Sequence, residues 1–304
     1  MQNLRNTQHV TRIIIALMPS TTHPIGVFDS GVGGLSVLRA MRAQMPEESI
    51  LYFGDQGHVP YGPRSMEQIQ SFSEGITKFL LNYDSKLIVV ACNTASAAAL
   101  TYLRGRFPAV SFVGMEPAVK PAAETTKTGK VGVLATPATF QGALYASVVE
   151  RFAAGVELFQ HTCPGLVSQI EKGDLDSSVT RAILEDALRP MLEKNIDTVV
   201  LGCTHYPFVI PLIEQIVGDA KRVRVIDPAP SVAKQVKRLL EAAGTNVTGI
   251  STRQSQVRAS VRFFTSGNPS EMKSMLPILL GESGEVESIT WKNDREVEIT
   301  VPKV

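Results

Sequence analysis

The chain has 304 residues, a formal net charge of +1 and a hydrophobic fraction of 44%. This length is enough for two domains of ordinary size with substantial cores. The basic residues are dispersed, so no nucleic-acid surface is indicated, and no apolar run approaches the roughly 18 residues that span a membrane. The three cysteines, Cys92, Cys163 and Cys203, are too few and odd in number for a disulfide framework. We therefore expect a protein of the reducing cytoplasm.

The first 23 residues differ in pattern from the rest of the chain. Arg5 and Arg12 precede an apolar patch at 13–18 and loosely imitate a signal peptide. The patch is shorter than the roughly 7–15 residues expected, and no small-residue cleavage site follows it. We therefore predict that residues 1–23 form a disordered tail. Met18, just before the first predicted strand, offers an alternative start of translation.

Short β-branched runs alternate with amphipathic segments of helical length along the remaining chain. The predicted strands are 25–29, 50–53, 87–91, 110–113, 131–135, 156–159, 198–201, 223–226 and 261–265. The predicted helices are 34–45, 65–82, 94–106, 139–152, 177–194, 207–217 and 231–243. Strands that alternate with helices indicate βαβ units, a mainly parallel sheet and therefore an α/β fold.

The two halves of the chain repeat a similar order of elements. The segment that begins at Ile25 is echoed by one that begins at Val131, and the strands that end at Cys92 and Cys203 are separated by nearly the same spacing. We therefore predict two pseudo-symmetric α/β domains whose mainly parallel sheets face each other across a cleft.

Two proline-marked junctions, at 115–118 and 226–230, indicate where the chain crosses between these domains. The first domain is then discontinuous, because the chain returns to it after the second junction. The end of the chain alternates polar and apolar residues, as expected of an edge hairpin or appendage. The predicted boundaries are 24–116 with 227–285 for the first domain, 117–226 for the second and 286–304 for the C-terminal appendage.

Two of the predicted strands end at a cysteine. The carboxyl ends of strands are where open α/β folds bind their ligands. A lone cysteine there is most often a small buried hydrophobe. However, the helix that begins near Thr94 directs N–H groups and its positive dipole end at Cys92, which is expected to lower the pKa of the thiol. Cys203 has the same setting, with His205 two residues later, and the pairing favours a function for both thiols.

Several kinds of chemistry use two thiols. A zinc site from Cys92, Cys203 and His205 lacks both a Cys-x-x-Cys motif and an obvious fourth ligand. A redox dithiol also usually occurs as Cys-x-x-Cys, and a Cys–His nucleophile would leave one thiol unused. Two thiols on opposite faces of one carbon use both, because one removes a proton while the other donates one. We therefore predict inversion of a stereocentre, with a metal site as the weaker alternative.

Other loops are candidates for the same site. The glycine-rich turn 29–34 does not have the spacing of a dinucleotide-binding loop. Asp29 suits an ammonium group, whereas Ser30 and the backbone amides suit a carboxylate. Gly54-Asp55 and the Pro- and Gly-rich stretch 58–62 follow the second strand and are expected to form a wall of the site. Thr136 is the second-half counterpart of Ser30. Glu171 is a further candidate, although a glutamate on a helix is more often solvated.

These motifs resemble those of the aspartate/glutamate racemase family, and within it the glutamate racemases. These are cofactor-independent enzymes that make D-glutamate for bacterial peptidoglycan. The similarity runs in order from residue 25 to about 280. It rests on IGVFDSGVGGL at 25–35, PYG at 60–62, ACNTA at 91–95 and LGCTHYP at 201–207.

The resemblance implies two-base racemisation of L- and D-glutamate by Cys92 and Cys203, with support from Asp29, His205 and Glu171. The implied substrate contacts are Asp29, Ser30, Tyr61, Gly62, Asn93, Thr94, Thr136, Thr204 and His205. It also implies a homodimer and, as in some members of the family, activation by a cell-wall precursor. Two alternatives stay open. One is a racemase for aspartate or another acidic amino acid, and the other is a mainly binding protein that inhibits DNA gyrase, as some members do.

Overall fold

The computed structural model describes residues 20–218, 223–247 and 259–300. These residues form eleven strands in two sheets. The strands are β1 (Ile25–Asp29), β2 (Ile50–Gly54), β3 (Leu87–Val90), β4 (Phe112–Gly114), β5 (Lys130–Ala135), β6 (Glu157–His161), β7 (Thr198–Gly202), β8 (Arg224–Ile226), β9 (Val261–Thr265), β10 (Val286–Asn293) and β11 (Glu296–Ile299).

The larger sheet has the strand order β11-β10-β9-β2-β1-β3-β4, and the smaller has the order β6-β5-β7-β8. Every neighbouring pair is parallel except the hairpin of β10 and β11. The prediction of an α/β fold with mainly parallel sheets is confirmed. The carboxyl ends of β1 and β3 lie together at one edge of the larger sheet, and those of β5 and β7 at one edge of the smaller.

Helices connect most of the strands. They are α1 (Leu35–Gln44), α2 (Met66–Leu81), α3 (Asn93–Arg106), α4 (Val119–Thr125), α5 (Pro137–Gln141), α6 (Ala143–Phe152), α7 (Leu166–Glu171), α8 (Ser178–Glu193), α9 (Ile210–Val217), α10 (Ala229–Ala243) and α11 (Pro269–Leu279), with a 3₁₀ turn at Tyr206–Val209. Among the described residues, no helix is long and apolar enough to cross a bilayer.

Three differences from the predicted helices have local causes. The helix predicted at 139–152 is divided at Gly142, whose extended backbone separates α5 from α6. Helices α4 and α7 were not predicted, because six or seven residues contain too few turns for a periodic pattern. Helix α11 was also not predicted. It begins at an Asn268 cap whose side chain accepts the backbone N–H of Ser270, followed by a proline, which is a common helix start.

The core extends across both sheets. All five residues of β1 and all four of β3 are buried, as expected for parallel strands covered on both faces. One apolar cluster includes Ile25 of β1 and Val199 of β7. The loops at the carboxyl ends of the two sheets are therefore held against each other by a shared core as well as by polar contacts.

The two ends of the chain are described in part. Residues 1–19 of the predicted tail lie outside the described residues, whereas the Thr21 carbonyl accepts a hydrogen bond from Lys86. Residues 301–304 of the predicted appendage also lie outside them. Its strand β10 pairs in parallel with β9, so the hairpin forms the edge of the larger sheet.

Candidate active site

A small cavity lies between the carboxyl ends of the two sheets, with a volume of about 20 Å³. It is lined by Ser30, Pro60, Tyr61, Gly62, Cys92, Asn93, Thr94, Thr136, Val167, Cys203, Thr204 and His205. Ten of the predicted site residues are therefore brought together, while Asp29 and Glu171 lie behind this lining. A volume of this size holds about one water molecule. A ligand as large as an amino acid therefore requires the cavity to widen.

Cys92 is buried at the start of α3, where its side chain caps the helix. The backbone N–H of Ala95 donates to Cys92 Sγ at 3.4 Å, and Ser30 Oγ lies 3.7 Å from the same sulfur. The sequence-based expectation of a lowered pKa is wrong. Burial raises the pKa of the Cys92 thiol far above its usual value, the negative charge of Asp29 raises it further, and the helix N–H only partly offsets them. The resting form of Cys92 is therefore the thiol.

Cys203 follows β7 on the opposite side and has a different partner. Its Sγ lies 3.7 Å from His205 Nδ1, and His205 Nε2 lies 2.7 Å from Glu171 Oε1. Burial lowers the pKa of His205, but hydrogen bonds to Cys203 and Glu171 outweigh it and hold this pKa well above 6.5. This raised pKa favours the protonated imidazole, which places a positive charge 3.7 Å from Cys203 Sγ.

Glu171 is an internal ion-pair partner and not a solvated helix residue, since its side chain is only 12% exposed. Burial raises its pKa, but the hydrogen bond and charge of His205 lower it more, so the net pKa is below 4.5. Glu171 also accepts the backbone N–H of Val32 at 2.8 Å and the Gln56 side-chain amide at 3.2 Å. It therefore joins α7 to two loops of the larger sheet.

Asp29 is buried at the end of β1, and its carboxylate also reaches the other sheet. It accepts the N–H of Gly31 at 2.9 Å and the hydroxyl of Thr204 at 3.2 Å. Burial raises the pKa of Asp29, and His205 and the backbone donors only partly offset this. Holding an ionised Asp29 here costs free energy in the absence of a ligand.

The glycine-rich turn is required by close packing and not by an anion. A Cβ on Gly31 would lie 1.9 Å from a carboxylate oxygen of Glu171, and a Cβ on Gly33 would lie 2.3 Å from His205 Nδ1. The N–H groups of Gly31 and Val32 already donate to side chains. Two amides of this turn therefore already have partners in Asp29 and Glu171, and among its residues only Ser30 lines the cavity.

The other residues that line the cavity are mostly polar, and some of their polar atoms have no hydrogen-bond partner among the described residues. Both side-chain polar atoms of Asn93 are buried and form no hydrogen bond within the described part of the chain. Thr94 and Thr136, from opposite sheets, share a hydrogen bond of 3.0 Å. The hydroxyl of Tyr61, another lining residue, donates to Asp55 at 2.6 Å and so already has a partner. A buried amide without a partner is costly unless a ligand binds it.

Sequence analysis missed two residues with a place at the site. Val167 lines the cavity, and nothing in its sequence context marks it. Gln56 lies between Asp55 and the loop 58–62, both of which were predicted to form a wall of the site, and its position in the loop after β2 was an available signal. Over the ranges described, no group of three His, Cys, Asp or Glu residues is arranged to hold a metal ion.

Comparison with known proteins agrees with this geometry. The model of the Asp/Glu/Hydantoin racemase family matches residues 25–236. The chain belongs to this family. Among its relatives, the glutamate racemase of Pseudomonas paraeruginosa is 49% identical over 269 residues, which cover 88% of this chain and 98% of the relative.

Solved structures of racemases have the same fold. Glutamate racemase from Francisella tularensis in complex with D-glutamate is 31% identical, with a TM-score of 0.75 and coverage of 89% of this chain and 98% of that one. Glutamate racemase from Escherichia coli in complex with L-glutamate and the activator UDP-MurNAc-Ala is 30% identical, with a TM-score of 0.74 and coverage of 92% and 100%.

Proposed function

We propose that this protein interconverts L- and D-glutamate and thereby supplies D-glutamate for peptidoglycan. The observation that carries the proposal is that two buried thiols from opposite sheets line one cavity. Two-base racemisation needs this arrangement, because one group removes the α-proton from one face of the carbon while a second group delivers a proton to the other. The relatives named as glutamate racemases support glutamate as the substrate.

The two sulfurs have different surroundings. Burial and Asp29 favour the thiol at Cys92, whereas Cys203, with the His205 ring 3.7 Å from its sulfur, is the proposed base in one direction. In one direction Cys203 removes the α-proton while Cys92 donates its own. The electron pair of the broken C–H bond stays on the α-carbon as the carbanion, which then takes the proton from Cys92. Each turnover therefore leaves Cys203 as the thiol and Cys92 as the thiolate.

The carbanion formed at the α-carbon is stabilised by polar groups already in position. Ser30, Thr94 and Thr136 provide hydroxyls around the cavity, and Asn93 provides an amide without a partner among the described residues. The first turn of α3 adds backbone N–H groups that have no carbonyl partner within the helix. Donors of this kind, directed at developing negative charge, contribute about 3–4 kcal/mol each where they have been measured.

Closure of the cavity is part of the proposal. Because the closed volume is about 20 Å³, glutamate enters only when the two sheets separate. Closing then removes water from the thiolate and strengthens its interactions with the substrate. We propose that the moving units are the two predicted domains, 24–116 with 227–285 and 117–226.

Proton NMR in D₂O tests the proposed reaction. The α-proton signal of L-glutamate should disappear without any added cofactor, and D-glutamate should accumulate. Cys92→Ala and Cys203→Ala should each lower racemisation by about 10³-fold or more. Cys163→Ala is the control, because Cys163 is buried but does not belong to the cavity lining. Normal racemisation by either of the first two variants would exclude the two-thiol mechanism.

A substrate panel decides between glutamate and the other acidic amino acids. Aspartate is shorter by one methylene, so its side-chain carboxylate cannot reach the same donors while its α-carbon stays between the sulfurs. We expect kcat/KM for glutamate to exceed that for aspartate by about 100-fold or more. Preference for aspartate would replace the substrate and leave the two-thiol chemistry intact.

We also propose that the protein is a homodimer in the cytoplasm and that it responds to a cell-wall precursor.

A second cavity of about 600 Å³ is lined by three cationic residues, Arg104, Lys120 and Arg151, which suit the diphosphate of a UDP-linked sugar. Adding UDP-MurNAc-Ala should raise kcat/KM, and Lys120→Ala should weaken the response without changing the basal rate. An identical response in the variant would show that the activator binds elsewhere. Light scattering measures the oligomeric state and thereby tests the proposed homodimer.

A further inference from the structure

The buried carboxylate of Asp55 connects three separate segments of the chain. Its side chain is fully buried. Tyr61 donates its hydroxyl to Asp55 Oδ2 at 2.6 Å, while Ser266 Oγ and Trp291 Nε1 donate to Asp55 Oδ1 at 2.5 and 2.9 Å. His58 Nδ1 also lies 3.0 Å from Oδ2. Because the carboxylate is surrounded by donors, its position is set by all of them together.

Trp291 comes from the C-terminal hairpin, on strand β10. Its ring packs against Phe72 and His58, with ring centroids 5.6 and 5.1 Å away. Helix α2 makes room for the ring at Gly75, where a Cβ would lie 2.8 Å from Trp291 and 2.9 Å from the backbone of Arg295. The hairpin is therefore seated closely on α2, and the indole N–H points from this seat to Asp55.

The other side of Asp55 is the cavity. Tyr61 and Gly62 line it, and a Cβ on Gly62 would lie 3.9 Å from Thr136 Cβ of the opposite sheet. The neighbouring Gln56 donates to Glu171, the partner of His205. The segment 55–62 therefore forms a wall of the cavity and, through Gln56, also contacts Glu171, the ion-pair partner of His205.

We propose that Trp291 is a positioning residue for the substrate. Its indole N–H holds Asp55, Asp55 holds the Tyr61 hydroxyl, and the Tyr61–Gly62 wall thereby keeps the place that glutamate needs. Trp291 does not itself line the cavity. The identity of the ligand rests on the proposed function, whereas the relay from hairpin to cavity rests on the hydrogen bonds alone.

Trp291→Phe tests the hydrogen bond, because it keeps an aromatic ring against Phe72 and removes only the N–H and the second ring. We expect KM for glutamate to rise about fivefold to tenfold while kcat changes less than twofold. Val297→Ala is the control for hairpin packing, since Val297 lies opposite Trp291 on β11 and packs against the core but has no polar group to donate to Asp55. An unchanged KM in Trp291→Phe, or an equal rise in Val297→Ala, would overturn the relay.

Fluorescence gives a second test that needs no variant at Trp291. The chain contains a single tryptophan, so its emission reports this position alone. Glutamate should change the emission with a midpoint near KM, and Tyr61→Phe should abolish the change because it disconnects the loop from Asp55. A wild-type protein that racemises glutamate without any emission change would refute the relay. A wild type that does not racemise glutamate would instead refute the proposed function.

Discussion

Glu171 lies 2.7 Å from His205 Nε2 through the same oxygen, Oε1, that accepts the backbone N–H of Val32 at 2.8 Å. His205 follows a strand of the smaller sheet, and Val32 follows a strand of the larger one. The ion pair beside Cys203 is therefore held by contacts between the two sheets. Opening the cavity for substrate would break the Val32 contact and leave the ion pair more exposed to water.

The positive charge of His205 should affect kcat in one direction of racemisation more than in the other. His205→Asn removes the positive charge beside Cys203, so we expect kcat to fall about 10- to 100-fold in the direction that begins with abstraction by Cys203. Because the two enantiomers have equal free energy, kcat/KM must fall by the same factor in both directions. The asymmetry is therefore to be measured in kcat and in the isotope effect with α-deuterated D- and L-glutamate.

Two variants control that experiment. Glu171→Gln keeps an acceptor for Val32 but removes the carboxylate charge, so it should produce a smaller effect of the same kind. His161→Gln replaces a histidine outside the cavity lining and should leave kcat unchanged. Equal losses of kcat in both directions for His205→Asn would contradict a role specific to Cys203.

The same ion pair should contribute a pH-dependent stability. The folded pKa of Glu171 is lowered, so its contribution is present above the unfolded value near 4.5 and is lost as pH falls through the folded pKa. The folded pKa of His205 is raised, so its contribution is complete below 6.5 and is lost as pH rises through the folded pKa. The destabilisation caused by Glu171→Gln, about 3 kcal/mol, should therefore be greatest between pH 4.5 and 6.5. Urea unfolding at intervals from pH 3 to 9 measures it.

Much of the fold could be predicted because the buried strands have an unambiguous pattern. Runs such as 87–90 are apolar throughout, as a strand covered on both faces requires. The short helix α7 could not be predicted, since one and a half turns carry no periodicity, and its importance depends on Glu171 meeting a histidine 34 residues later. The domain boundaries stay a prediction.

The site was predictable to the extent that strand ends mark it. Cys92 and Cys203 were found because each ends a buried strand, and both line the cavity. The raised pKa of Cys92 could not be found, because it depends on burial and on Asp29, which only the folded structure brings near. The close packing that requires glycine at position 31 and the hydrogen bond between Asp55 and Trp291 likewise depend on contacts between distant segments.

Gly31→Ala should inactivate the protein through packing. Its φ is in the ordinary region for L-residues, so the added methyl is excluded by space alone, with the Glu171 carboxylate 1.9 Å away. Displacing Glu171 would break its hydrogen bonds to His205 and Val32. We expect kcat/KM to fall about 100-fold or more and the free energy of unfolding to fall by about 2–3 kcal/mol, as for other overpacked sites. Steady-state kinetics and urea unfolding measure both.

Gly105→Ala is the matched control for this substitution. Gly105 lies inside α3, and a Cβ there meets no atom within 4 Å. Alanine is favoured over glycine in a helix, so Gly105→Ala should raise stability by about 0.5–1 kcal/mol and leave kcat/KM unchanged. Wild-type activity in Gly31→Ala would show that Glu171 can move without cost and would remove it from the support of the site.

Asp29→Asn should raise the free energy of unfolding and lower the catalytic rate. The folded pKa of Asp29 is raised, so its stabilising contribution is complete below 3.8 and is lost as pH rises through the folded pKa. The amide keeps both partners, because its oxygen can accept from Gly31 and its NH₂ can donate to the Thr204 hydroxyl. At pH 7 we expect the free energy of unfolding to rise by about 1 kcal/mol, and kcat to fall about tenfold or more.

The same substitution at Asp197 supplies a control of opposite sign. Burial raises the pKa of Asp197, but hydrogen bonds from Thr126, Lys127 and Thr128 lower it more, so the net pKa is below 3.8. The contribution of Asp197 is therefore present above pH 3.8 and is lost in acid. Asp197→Asn should lower Tm at pH 7, whereas Asp29→Asn should raise it, and the two differences should both shrink toward pH 3. A decrease in Tm for Asp29→Asn at pH 7 would show that the ionised carboxylate stabilises the empty site, against the direction derived from its burial.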